Sequence, residues 1–159
     1  MILTEIFMRL STDLDVLDEL KEPLPAGTYV LEYVRDGFSN NNTIIDIFCK
    51  VVKCDEHPET VGKECKIQTC YSSDNKRIVA IGNSIRNQIF KACIGKELFE
   101  AESNNGGINT AKLYGLQFQC YIDVKETSFG FSLNKNSFKS FKLIYSDEEL
   151  LQIAKDRFQ

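Results

Sequence analysis

The sequence predicts a mainly β fold with flanking helices, and three observations carry that expectation. Before residue 72 the chain holds three short runs rich in β-branched and aromatic residues; from Lys76 the apolar period lengthens to three or four residues; and from Gln117 strict alternation returns. At 159 residues, 43% hydrophobic and 26% charged, the chain suits one compact domain with a real core.

Taken in order, "MILTEIFMRL" reads as a short docking helix. "STDLDVLDELKE" opens with capping residues and spaces Leu14, Leu17 and Leu20 as on a helix face. "PLPAG" stops it. "TYVLEYVR" is a first strand, "DGFSNNN" a turn by composition and "TIIDIFCKVV" a second strand, which together form a hairpin. "DEHPETVG" is a loop, and "KECKIQTCYS" resumes the sheet. Ile78, Ile81, Ile85, Ile89 and Ala92 then mark the inner face of a helix closed by Gly95. "ELFEAESNNGGINTAK" reads as a polar connection. In "LQFQCYIDVKE" Phe118, Cys120, Ile122 and Val124 share one face of a half-buried strand, and Gln119, Tyr121, Asp123 and Lys125 share the other. "SFGFSLNKNSFKSFKLIY" holds one or two further strands with a turn near Asn134 to Asn136, and "SDEELLQIAKDRF" a capped C-terminal helix. Five to six short strands with one helix after the third match an OB-like Greek-key barrel, and an open antiparallel sheet with helices on one face fits nearly as well. The expected division is 1–22 as an N-terminal helical segment, 23–145 as the OB-like domain, and 146–159 as an acidic helix or tail.

The hydrophobic runs are short, and Asp46 and Lys50 interrupt the longest, so no membrane span is expected. The N-terminus does not read as a secretory signal, which places the protein in the cytoplasm with its six cysteines reduced. Cys54 with His57, and Cys65 with Cys70, supply four potential zinc ligands. Cys65 and Cys70, however, differ by an odd number and on one strand point to opposite faces. The thiols are therefore expected as packing residues, with no metal and no cofactor. The one histidine, His57, lies in an acidic loop; no phosphate loop, nucleophile elbow or metal helix is present, and the acids in "DLD" and "DEEL" sit at helix starts. The chain is not expected to be an enzyme.

Net charge is −4 but unevenly placed: −5 over residues 1–36, +3 over 37–145 and −2 over 146–159. A basic body between acidic ends suits a nucleic-acid binder whose ends restrain nonspecific contact or recruit partners. Single-strand binders stack bases on rings and follow phosphates with lysine and arginine. The candidates are Phe48 with Lys50, Lys66, Tyr71 with Arg77, Tyr121 with Lys125, Lys135, and Phe138 with Lys139. For each ring the competing reading is core or edge packing. Tyr121 stands out because it falls on the polar side of its strand. In "NKNSFKSFK", simple alternation puts Phe138 and Phe141 on opposite faces, one ring anchoring the strand and the other at the surface.

"PLPAGTYVLEYV", "VGKECKIQTCYS", a helix ending "FKACIGK", "LYGLQFQCYIDVKE" and "NKNSFKSFK" follow one another across residues 23–142. In that order they resemble the small phage and prophage proteins described as single-stranded DNA-binding or recombination-associated. The long "NNGGINTAK" link and the cysteine content depart from that pattern. The resemblance implies a non-catalytic binder of single-stranded DNA in phage or mobile-element replication or recombination. The acidic C-terminus would then dock replication or recombination proteins or pack as a helix, and oligomers are possible. The alternative is a protein-interaction or inhibitory phage module acting on a host enzyme, for example by using its acidic ends to mimic DNA.

Overall fold

The computed structural model describes residues 22–128 and 132–159, and the side chains of those outside 126–134. The expected helices within residues 1–21 lie outside the described residues. Five strands form one antiparallel sheet: β1 (Gly27–Ser39), β2 (Ile44–Lys53), β3 (Glu64–Cys70), β4 (Gln117–Ser128) and β5 (Ser132–Lys142). Their spatial order is β3-β2-β1-β4-β5, so β1 is central while β3 and β5 are outermost. The protein is thus mainly β with helices packed on it, and the sheet is open.

Alternation sets the inner face. Tyr29, Leu31 and Tyr33 of β1, Ile47, Cys49 and Val51 of β2, and Phe118, Cys120 and Ile122 of β4 are all buried. β1 has irregular register with β2 at Val30/Leu31 and at Tyr33/Arg35, and β4 with β5 at Gln119/Tyr121. Such bulges bend a strand and increase its twist. The hairpin turn is tighter than "DGFSNNN" suggested. Asp36 to Ser39 continue β1, and Asn40, Asn41 and Asn42 make the turn in the left-handed region, with φ of 51°, 56° and 63°. Asparagine tolerates that region because its short polar side chain bonds locally.

Helix α1 (Lys76–Ile94) starts where Asn75 Oδ1 accepts from the N–H groups of Arg77 and Ile78, and it ends at Gly95, whose φ is 83°. Its inner face differs from the isoleucine stripe. Ile78 and Ile81 are exposed, whereas Gly82, Arg86, Ile89 and Cys93 are buried. The cause is a close approach: a Cβ on Gly82 would lie 2.0 Å from the Cys70 carbonyl oxygen. One turn later the Arg86 guanidinium donates to Thr69 Oγ1 (2.6 Å) and to the Cys70 carbonyl (3.0 Å), which pins α1 to the end of β3. Burial lowers the pKa of Arg86, so these partners compensate a costly placement.

The polar connection after Gly95 is a second helix, α2 (Lys96–Asn104), so two helices follow the third strand where one was expected. Phe99 anchors α2 in the core, beneath Lys91 Nζ at 5.0 Å from its ring. Asn134 to Asn136 lie within β5, not in a turn. Helix α3 (Asp147–Arg157) carries a capping box formed by Ser146 and Glu149. It is packed against the body: Arg157 Nη1 donates to the Tyr114 carbonyl (2.6 Å), and Ile153 and Phe158 rest on the core. Among the described residues no helix is long and apolar enough to cross a membrane.

Candidate nucleic-acid interface

The two outer strands face each other across a cleft of about 850 Å³. Residues Lys63 to Gln68, on and just before β3, form one wall; Lys135 to Phe138 of β5 and Lys125 of β4 form the other, with Ile85 of α1 and the Glu22-Pro23-Leu24 segment between them. Five cations, Arg35, Lys63, Lys66, Lys125 and Lys135, meet two carboxylates there, Glu22 and Glu64. In a chain of net charge −4 this is a local concentration of positive charge.

The pairing register explains how the cleft acquires a ring among cations. On β2, Phe48 falls between the buried Ile47 and Cys49 and so turns to the opposite face. Its cross-strand neighbours are Arg35 on β1 and Lys66 on β3, giving a rung of cation, ring and cation. The Arg35 guanidinium carbon sits 4.1 Å from the Phe48 ring centroid, within cation–π range. Arg35 also lies 3.9 Å from Glu64. On the far wall Lys125 and Lys135 are directly paired across β4 and β5. Like charges so placed destabilise a sheet.

Of the residues the sequence singled out, Phe48, Lys66, Lys125, Lys135 and Phe138 line the cleft. The others lie elsewhere. Tyr121 pairs with Lys139, whose Nζ is 5.2 Å from the Tyr121 ring and 3.9 Å from Asp123. Tyr121, Lys125 and Lys139 share a face, but Phe138 does not, because it pairs with the core residue Ile122. Lys50 pairs with Glu32 and Glu64, a carboxylate on each side. Tyr71 lies just past β3, edge-on to Phe38 at 5.1 Å. Arg86, not Arg77, approaches the Tyr71 ring, at 5.8 Å. Arg77 is exposed in the first turn of α1.

"NKNSFKSFK" departs from simple alternation. Ser140 has a φ of 55° and stands at the β4–β5 irregularity, where Lys139 pairs with Tyr121 but Lys142 with Gln119. The extra residue shifts the alternation by one, so Phe138 and Phe141 both pack against the core, Phe141 6.1 Å from Phe118. Neither ring is a surface ring. Phe138 serves the cleft as its apolar floor.

The cysteines and His57 have structural surroundings. Cys65 and Cys70 sit at opposite ends of β3, about 17 Å apart at roughly 3.4 Å per residue. Among the described residues no group of three or more His, Cys, Asp or Glu gathers to hold a metal. Burial pushes the Cys65 thiol up to about 12, and Cys49, Cys93 and Cys120 well above their ordinary range, so these thiols are protonated at neutral pH and poor nucleophiles. His57 Nε2 lies 3.0 Å from the Ala26 carbonyl, tying its loop to the start of β1.

Arg35 and Lys63 were missed from sequence. Arg35 abuts the segment taken as turn, and only the true hairpin register places it opposite Phe48. Comparison with family models, with curated proteins and with solved structures gave no match.

Proposed function

We propose that the protein binds single-stranded DNA in the cleft between β3 and β5, without catalysing a reaction. The observation that carries this reading is the meeting of five cations and the Phe48 ring in one cleft of an acidic chain. Phosphates lie against the lysines while a base stacks at Phe48, an arrangement that tolerates any sequence because every base has a π face. The Lys125–Lys135 pair supports the reading, since a bound phosphate relieves a repulsion that the sheet alone has no reason to keep.

The fold adds support. The open order β3-β2-β1-β4-β5, with helix inserted after β3, is compatible with an OB-like barrel left unclosed between β3 and β5, and on that reading the face of the second and third strands is where OB barrels bind oligonucleotides. Phe48 and Lys66 occupy that face here. With the sequence resemblance to phage and prophage recombination proteins, our reading is that the activity serves replication or recombination of mobile DNA in a host cytoplasm. The exposed acids of the first turn of α3 are the place where replication or recombination partners would dock.

The test is fluorescence anisotropy of labelled oligothymidine at 50 and 200 mM salt, with duplex of equal length as competitor. Affinity should fall steeply with salt, and duplex should compete poorly. Absence of binding at low salt, or equal affinity for duplex, would overturn the proposal.

A further inference from the structure

The described chain begins inside the cleft: Glu22, Pro23 and Leu24 are part of its lining. Leu24 is clasped to β5 by two hydrogen bonds, its N–H donating to Asn136 Oδ1 (2.9 Å) and its carbonyl accepting from Asn136 Nδ2 (2.8 Å). Asn136 is itself a residue of the cleft wall, between Lys135 and Phe138. Residues 1–21 are therefore tethered at the cleft itself. They contain five acids, Glu5, Asp13, Asp15, Asp18 and Glu19, against two bases, Arg9 and Lys21, together with the leucines of "DLDVLDEL". The cleft offers the complement in cations and in the apolar side chains of Phe48, Ile67 and Phe138.

We propose that residues 1–21 are a built-in competitor, whose acidic stretch Asp13 to Glu19 occupies the basic cleft until single-stranded nucleic acid displaces it. The competitor role rests on the function proposed above; the docking itself does not. A tether of a few residues holds a segment at a local concentration on the order of millimolar. An intrinsic affinity of only about 0.1 mM then keeps the cleft filled in roughly nine molecules of ten, and the apparent affinity for DNA falls about tenfold. Weak, nonspecific polyanions would be excluded and a long single strand admitted.

Two measurements on the full chain test this. A zero-length carbodiimide crosslinker joins carboxylates to amines in direct contact, and peptide mapping should find Asp13, Asp15, Asp18 or Glu19 linked to Lys63, Lys66, Lys125 or Lys135. Saturating oligothymidine should abolish those links. The full-length variant Asp13→Asn/Asp15→Asn/Asp18→Asn/Glu19→Gln should bind oligothymidine roughly tenfold tighter at low salt, with the difference shrinking as salt rises. Unchanged affinity in that variant would overturn the proposal. So would links running mainly to Lys76, beside the exposed Ile78 and Ile81 at the start of α1. Links to the cleft lysines in a protein that never binds oligothymidine would confirm the docking and sink the competitor role together with the DNA reading.

Discussion

Replacing Lys135 by Gln should make the protein more stable and a poorer binder, and the two effects can be given magnitudes. Lys135 faces Lys125 across β4 and β5. Two ammonium groups about 6 Å apart in water repel by about 0.7 kcal/mol, inside the roughly 0.2 to 1 kcal/mol range of directly opposed side-chain pairs. Relief of that repulsion should raise Tm by about 1 to 3 °C in a chain of this size. For binding, one phosphate contact to a single strand contributes a slope of about −0.7 in log affinity against log salt. Relative to 1 M salt, one contact is then worth about eightfold at 50 mM and about threefold at 200 mM. The variant should lose those factors and show a salt slope shallower by about 0.7. Anisotropy titrations at four salt concentrations, beside thermal melts, measure both. A variant that melts lower, or whose loss of affinity is the same at every salt, would refute the view of the lysine pair as a phosphate site.

Phe48→Ala should weaken oligothymidine binding by about 1 to 3 kcal/mol with nearly unchanged salt slope, whereas Tyr121→Ala, whose ring lies outside the cleft beneath Lys139, should stay within about twofold of the parent by the same titration. Gly82→Ala should destabilise by about 2 to 4 kcal/mol in urea melts. Helix propensity favours alanine by about 1 kcal/mol, but the methyl cannot coexist with the Cys70 carbonyl, and shifting α1 breaks the bonds of the buried Arg86. Gly37→Ala is the control, since nothing lies within 4 Å of its added Cβ, and it should be neutral or slightly stabilising. Stability in reducing buffer should fall as pH rises above about 8.5. Thiols of Cys49, Cys93 and Cys120 ionise there in the unfolded chain but stay protonated in the fold, so each withdraws about 1.4 kcal/mol per pH unit until its raised folded value is reached. A flat alkaline profile would contradict their burial.

Most elements were legible because each is locally consistent. β2 and β4 alternate, and α1 and α3 carry Asn75 and Ser146 as caps, signals that survive without tertiary context. The failures have tertiary causes. Gly82 counts against a helix by propensity, yet it is what allows α1 to touch β3. Arg86 reads as a surface charge until its two acceptors on β3 are in place. α2 was hidden by the asparagines and glycines that follow it, although Phe99 was the residue with something to bury. At Ser140 a single left-handed residue reversed the direction of Phe141, and period-two reasoning has no means of seeing one inserted residue. Half of the candidate residues reached the cleft because basic and aromatic residues were placed on the right strands. Arg35 needed the register of a hairpin whose turn composition pointed a few residues too early.

The outer strands of the cleft walls, β3 and β5, are separated in sequence by residues 71–131 and in the sheet by β2, β1 and β4. No fragment containing one wall carries a site. The cleft is complete only after the most sequence-distant pairings have formed, which places its assembly late among folding events. Whatever fills it therefore acts as a reporter of the whole domain: an occupant at a hundred times its Kd adds about 2.7 kcal/mol to the unfolding free energy of every strand at once. Thermal shift against a panel of oligonucleotides thus becomes a screen that needs no labelled ligand, and the same coupling would let any occupant of the cleft protect the chain from proteolysis.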